Sequence, residues 1–204
     1  MNLRPLKLTP LPVNPLISVL VTNYNYGQYI AEAIESVLNQ TYQNFEVVVC
    51  DDGSTDNSLE IIRRFASLDA RIRYVVKQNG GQASALNAAY ANSRGQIVCL
   101  LDADDVFLPR KLEAILGVFN KQENPGLVIH RLRVVHGDTL AKGIDIPTFA
   151  AFERGFIADK VYSRGGRWMN MGGSALCFRR ELADLLFPID EQTFRSVGMH
   201  TCMF

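Results

Sequence analysis

The sequence predicts an α/β protein, an open and mostly parallel (mixed) sheet flanked by helices. Three observations predict it. Between residues 16 and 120, short apolar runs rich in β-branched residues alternate four times with polar turns and with apolar stripes at helical spacing. The fourth run, residues 97–101, is apolar at every position, as a parallel strand covered on both faces must be. Acidic segments follow the second and fourth runs, at the carboxyl ends where open α/β sheets bind ligands.

The elements follow in order. Pro5, Pro10, Pro12 and Pro15 deny residues 1–15 a helix, so this lead-in is expected to be extended or loosely attached. Residues 16–21 form the first strand, Tyr24 to Gly27 a loop, and Ile30, Ala33, Ile34, Val37 and Leu38 the apolar face of a helix. The cycle repeats with a strand at 45–50, a polar turn at 51–56, and Leu59, Ile61, Ile62, Phe65 and Ala66 on a helix. A third cycle has a strand at 72–76, a turn at Asn79, Gly80 and Gly81, and a small-residue helix carrying Ala83, Leu86, Ala89 and Tyr90, with Gly95 as its terminator. The fourth strand, 97–101, runs into Asp102, Ala103, Asp104 and Asp105. Pro109 then opens a helix with Leu112, Ile115, Leu116 and Phe119 on one face. Successive β-α units imply right-handed crossovers. Beyond Pro125 the pattern weakens: strands are expected at 127–135 and 174–178, a short helix at 179–186, and an acceptor-side or lid region without clear period at 137–170. Residues 16–204 are thus read as one domain, with a ligand-binding half (16–120) and a second, apparently short half (121–204).

Composition narrows the function. Lys plus Arg and Asp plus Glu each number 21, so no single-sign field exists to attract nucleic acid, and phosphate binding must be local. Of the four cysteines, Cys50, Cys99 and Cys177 lie in apolar runs and no pair has CxxC spacing, which suits buried thiols in a reducing compartment. No apolar run approaches the ~18 residues of a bilayer span and no signal core is evident. The expectation is a cytoplasmic protein, with attachment to the cytoplasmic face of a membrane left open. Gly-x-Gly-x-x-Gly and the P-loop are both absent, which removes the two glycine-rich phosphate cradles.

The chemistry lies at the strand ends. Asp102 and Asp104 flank Ala103, with Asp105 beside them. Like charges this close raise a pKa unless a cation neutralises them, and hard carboxylate oxygens suit Mg2+ or Mn2+ shared with phosphates. A helix N-cap would account for one Asp, not three. In the turn at 51–56, Gly53 makes the turn and Ser54 or Asp56 caps a helix, which leaves Asp51 and Asp52 to read a nucleobase, with Thr22 alongside.

The order of motifs then carries a resemblance. Ile17-Ser18-Val19-Leu20-Val21-Thr22-Asn23-Tyr24-Asn25, Val48-Val49-Cys50-Asp51-Asp52-Gly53-Ser54-Thr55-Asp56, Asn79-Gly80-Gly81 through Asn87, and Leu101-Asp102-Ala103-Asp104-Asp105 together resemble glycosyltransferase family 2. Weaker likeness continues in Gly172-Gly173-Ser174 to Arg179-Arg180 and in Phe187-Pro188-Ile189-Asp190-Glu191. The resemblance implies a GT-A fold with a Rossmann-like nucleotide-binding N-terminal half, and inverting transfer from a nucleoside-diphosphate sugar, a UDP-sugar foremost, to an acceptor hydroxyl on a glycan, lipid-linked or protein acceptor. It implies that Thr22, Tyr24, Asp51, Asp52, Asn79, Gly81, Gln82, Asn87, Asp102 and Ala103 line the nucleotide-sugar site, and that Asp104 and Asp102 hold a divalent metal, Mn2+ or Mg2+. The acidic base usual in the family is not in its place: His200 stands there instead, with Asp190 as the other candidate base. Two alternatives stay open, a catalytically impaired nucleotide-sugar-binding domain and a haloacid-dehalogenase-type phosphatase with Asp102 as nucleophile.

Overall fold

The computed structural model describes residues 6–121, 124–135, 144–146 and 173–192. Its strands are β1 (Ile17–Asn23), β2 (Phe45–Asp51), β3 (Ile72–Val76), β4 (Ile97–Asp102), β5 (Leu127–Ile129), β6 (Leu132–Val134), β7 (Ile144–Ile146) and β8 (Leu176–Arg179). Its helices are α1 (Ile30–Leu38), α2 (Ser58–Leu68), α3 (Gln82–Ala91), α4 (Lys111–Phe119) and α5 (Arg180–Leu186). The main sheet runs β3-β2-β1-β4-β8-β5; β1 to β4 are parallel and β8 is antiparallel to both β4 and β5. The mixed α/β sheet expected from the sequence is therefore the one observed.

Why β1 and β2 are strands is plain from their burial, which is complete along ISVLVTN and FEVVVCD. Side chains alternate across a strand, so the sheet sorts them onto two cores. Val19, Val21, Val47, Val49, Cys99 and Leu101 pack with α1, α2 and α4. Leu20, Val48, Cys50, Val98 and Leu100 pack with α3 and α5. Burying each Val or Leu contributes about 1.5–3 kcal/mol against exposure, so both cores resist any slip of register.

The chain passes from β1 to β2 and β3 on one side and then returns to place β4 on the other side of β1. Between β1 and β4 the direction of winding reverses, which opens a crevice at their carboxyl ends. Thr22 and Asp102 are register partners across it.

Several expectations are revised. The lead-in is tied down at Thr9 and Pro15: Thr9 donates through its backbone N–H and its hydroxyl to Glu181, Arg179 donates to the Thr9 carbonyl, and Tyr42 donates to the Pro15 carbonyl. Arg179 is itself 1% exposed and also donates to Asn124 Oδ1 at 2.6 Å. The expected strand at 127–135 is two strands, β5 and β6, in different sheets. α3 ends at Ala91 with Asn92 as C-cap, so Gly95 does not terminate it; a Cβ at Gly95 would stand 2.5 Å from the Ser18 backbone nitrogen, and that close approach is its role. Cys50, Cys99 and Cys177 are buried free thiols, as expected. Cys202, and 137–170 apart from β7, lie outside the described residues.

Candidate functional site

The alternation that builds the two cores also divides the strand-end polar residues. Thr22, Asp52 and Asp102 continue the series Leu20, Cys50 and Leu100 towards α3. Asn23, Asp51 and Ala103 continue the opposite series.

Asp51 accordingly does not join Asp52. Its Oδ2 accepts from Asn23 Nδ2 at 2.8 Å and its Oδ1 from the Ser54 N–H at 2.9 Å. Ser54 Oγ in turn accepts the Asn25 N–H at 2.9 Å, and Asn25, at φ 58, accepts the Thr55 N–H at 2.7 Å. These bonds lock the loop after β1 to the loop after β2. Asp56 completes the lock, accepting Gly27 N–H at 2.8 Å and Ser58 N–H at 3.0 Å; the N-cap of α2 is Asn57, not Ser54 or Asp56, and no side chain bonds there as a cap. Ala103 buries its methyl group in the α4-side core, 3% exposed. The loop displays Tyr24, Tyr26 and Tyr29, each more than 40% exposed.

Asp52, 2% exposed, organises the other side. Its Oδ1 accepts from Lys77 Nζ at 2.7 Å and from the Gly80 N–H at 3.1 Å; its Oδ2 accepts the N–H groups of Gly80 at 3.1 Å and Gly81 at 2.8 Å. A buried carboxylate without such donors would cost several kcal/mol. Gly81 needs its positive φ of 87° to aim its N–H at Asp52 and start α3. Gly53, at φ 82°, lets the turn close against the Asn79 backbone, where a Cβ would stand 2.9 Å from nitrogen. Asn79 itself is exposed at the mouth of this turn.

Asp102 is the other pole. Gln82, the first residue of α3, donates from Nε2 to Asp102 Oδ1 at 2.6 Å, and Thr22 Oγ1 lies 3.4 Å from the same oxygen. Among the described residues every hydrogen bond to this carboxylate falls on Oδ1. The Asp102 N–H donates to Ser174 Oγ at 2.9 Å, and Gly173 backs onto the carboxylate so closely that a Cβ there would stand 3.4 Å from both oxygens. Burial, then the nearby charges of Asp105 and Asp104, push the Asp102 carboxyl up to about 6. Asp104 is exposed, with its carboxyl also raised, by burial and then by Asp105. Among the described residues no three His, Cys, Asp or Glu side chains converge as a self-contained metal cage. The Asp105 N–H turns back onto the Asp102 carbonyl at 3.0 Å. No acidic side chain caps α4 at its Arg110 N-cap, so the capping explanation of the cluster has no bond to support it.

Asn87 does not face the crevice through free donors. Its amide clamps Ile189 through both backbone groups at 2.7 and 2.9 Å, and also donates to Glu191 at 3.0 Å. The exposed Asp190 accepts the Gln192 N–H at 3.0 Å in the same turn. His200 lies outside the described residues. Two contacts escaped the sequence: Gln82 onto Asp102, and Ser174, placed by Lys111, whose Nζ donates to the Ser174 carbonyl at 2.8 Å. The unusual run Asn-Gly-Gly-Gln at a helix start was the available signal for the first. Only the fold reveals the second.

An open sheet whose winding reverses at a carboxylate corner, with a buried aspartate gathering a glycine turn beside it, marks this half as a GT-A-type α/β fold. The family model for glycosyl transferase family 2 matches residues 18–187, and the chain belongs to that family. An uncharacterized glycosyltransferase of Nostoc sp. (strain PCC 7120) is 39% identical over 181 residues, covering 88% of this chain and 55% of that protein. Among solved structures, a mannosyltransferase of Pyrobaculum calidifontis in complex with GDP-Man and Mn2+ superposes with a TM-score of 0.62 at 24% identity, over 92% of this chain and 51% of that one. Staphylococcus aureus TarS (1–349) in complex with UDP superposes with a TM-score of 0.66 at 21% identity, over 86% and 50%. These likenesses show the GT-A fold, and the chain spans about half the length of each of these relatives. Among the described residues no helix is long and apolar enough to cross a membrane.

Proposed function

We propose that this chain is the donor-binding part of an inverting glycosyltransferase that moves a sugar from a nucleoside-diphosphate sugar to an acceptor hydroxyl. The observation that carries it is the Asp102 corner: a carboxylate raised to about 6, fixed on Oδ1 by Gln82 and Thr22 and open on Oδ2, with Asp104 exposed beside it. Two hard oxygen donors short of a full cage fit a divalent cation that completes its shell with substrate phosphates. When bound, Mn2+ or Mg2+ at Asp102 and Asp104 supplies charge neutralisation to the departing diphosphate. The mannosyltransferase complex with GDP-Man and Mn2+ supports the same donor chemistry here.

The protein's own residues divide the work. Asp52 holds Gly80 and Gly81 so that the N-terminus of α3 faces the crevice, where its positive dipole end and free N–H groups favour phosphate. Thr22, Tyr24 and the Asn79 turn border the nucleoside. The acceptor hydroxyl attacks the anomeric carbon from the face opposite the diphosphate, so one base suffices and no covalent intermediate forms. Asp190, held beside α3 by the Asn87 clamp on Ile189, and His200 are the candidates for that base. The phosphatase alternative gains nothing from the geometry: Asp102 Oδ1 is bonded to an α3 side chain, and the motif follows three β-α units. Nucleoside diphosphates titrated calorimetrically with and without Mn2+ test the proposal. Wild type should bind UDP or GDP more tightly with Mn2+, and Asp104→Ala should lose that gain with its melting temperature no lower than that of wild type. A gain that survives Asp104→Ala refutes the assignment.

A further inference from the structure

We propose that Lys111 is a positioning residue for the donor corner, its ammonium holding the Gly173–Ala175 turn against Asp102 from the far side of the sheet. This rests on the donor site proposed at Asp102.

Lys111 stands where local rules disfavour it. It is the first residue of α4, where the positive end of the helix dipole repels a cation. It is also half-buried, and burial pulls its pKa down. A side chain that opposes both its helix end and its surroundings needs a compensating partner. The partners are the Ser174 carbonyl, 2.8 Å from Nζ, and the face of Phe107, whose centroid lies 3.3 Å from Nζ.

The Ser174 contact matters because backbone pairing stops short of the corner. β4 and β8 pair as Ile97↔Arg179, Val98↔Phe178 and Cys99↔Cys177, and the same register continued would set Asp102 opposite Ser174. The strand does not continue; residues Gly173–Ala175 turn into a 3-10 helix. Ser174 Oγ therefore accepts the Asp102 N–H in place of a ladder carbonyl, and the carbonyl freed by the turn goes to Lys111. Phe107, Cys99 and Cys177 belong to the α4-side core, whereas the Asp102 carboxylate faces α3. Lys111 thus bonds towards Asp102 through Ser174, while its charge also acts on the neighbouring Asp105.

The test uses Lys111→Met, which keeps the length and the contact with Phe107 but removes the charge and the donors, and Lys111→Arg, which keeps both. Amide hydrogen exchange at Asp102 should quicken about 10-fold or more in Lys111→Met, the loss expected for one charge-assisted hydrogen bond, while Val19 and Val48 amides keep their rates. The gain in UDP or GDP affinity on adding Mn2+ should fall about 10-fold, metal-free affinity should change less than about twofold, and Lys111→Arg should restore both readouts to within about threefold. Unchanged exchange at Asp102, or equal acceleration at Val19 and Val48, overturns the proposal, the latter because it marks general destabilisation. A wild-type protein that binds no nucleotide sinks the donor site instead, and the exchange rates still decide what Lys111 does.

Discussion

Asp102→Asn should make the protein more stable at pH 8 while removing its metal-dependent nucleotide binding. Burial and the charges of Asp105 and Asp104 hold the Asp102 carboxyl at about 6 against an ordinary 3.8. At 1.36 kcal/mol per pH unit, keeping this group ionised costs the folded state about 3 kcal/mol, and about 2 kcal/mol once its partial exposure to screening water is allowed for. The sign follows from proton uptake. Between about pH 4 and pH 6 the folded chain holds a proton that the unfolded chain has released, so stability falls as pH rises through that window and the whole cost is present above it. The amide put in place of the carboxylate carries no charge, yet its oxygen can still accept from Gln82 and Thr22. In a chain of this size ~1 kcal/mol moves the melting temperature by about 2–4 °C, so the variant should melt about 4–8 °C higher at pH 8, with the gain shrinking to nothing near pH 4. Parallel melts of both proteins from pH 4 to pH 8 measure this directly. Equal melting temperatures at pH 8, or a gain that persists at pH 4, would refute the claim that the corner is charged at a cost.

Three further outcomes follow from the same geometry. Asp52→Ala leaves Lys77 and the Gly80 and Gly81 amides without their acceptor, and should lower stability by about 1–3 kcal/mol in urea titration and weaken nucleotide binding even without metal. Glu46→Gln removes a buried carboxylate that accepts from Ser18, Arg94 and Arg73. Burial alone would raise that carboxyl, but these bonds prevail and hold it below its ordinary 4.5, so its contribution is present above that value and lost as pH falls; the variant should be about 1–3 kcal/mol less stable at pH 7, with the gap closing in acid. Gly53→Ala forces a Cβ to 2.9 Å from the Asn79 nitrogen at φ 82°, and should cost about 1–3 kcal/mol in thermal unfolding.

The β-α units were legible because β1, β2 and β4 are largely apolar on both faces and α1, α2 and α4 on one, a contrast in period that survives in sequence. The acidic corner was legible because three adjacent carboxylates after a buried strand have no cheap structural use. Asp51 was assigned beside Asp52, although strand alternation alone sends neighbours to opposite faces, and the structure spends it on Asn23 and Ser54. Asn87 was assigned to the donor pocket, and its amide is committed to Ile189. Neither the Thr9 to Arg179 attachment nor the Lys111 to Ser174 bond could be foreseen, since each joins residues whose proximity exists only after the sheet has formed.

The opposite fates of Asp51 and Asp52 show how one pleated strand serves two tasks. On the α2 and α4 side, strand-end polar groups bond to one another and freeze the loops: Asp51 with Asn23, Ser54 with Asn25, Asp56 with Gly27. On the α3 side they bond around the start of a helix: Asp52 uses both oxygens on Lys77, Gly80 and Gly81, whereas Asp102 takes Gln82 and Thr22 on one oxygen only. The first set ties the loops after β1 and β2 together, while the Asp102 backbone is held by the Ser174 hydroxyl. A one-residue slip of β2 would exchange the two sets and bring a valine into the α3-side core position now filled by Cys50. Register, fixed by the apolar rungs below, is therefore what brings Asp52 and Asp102 to the α3 side and sends Asp51 to the other.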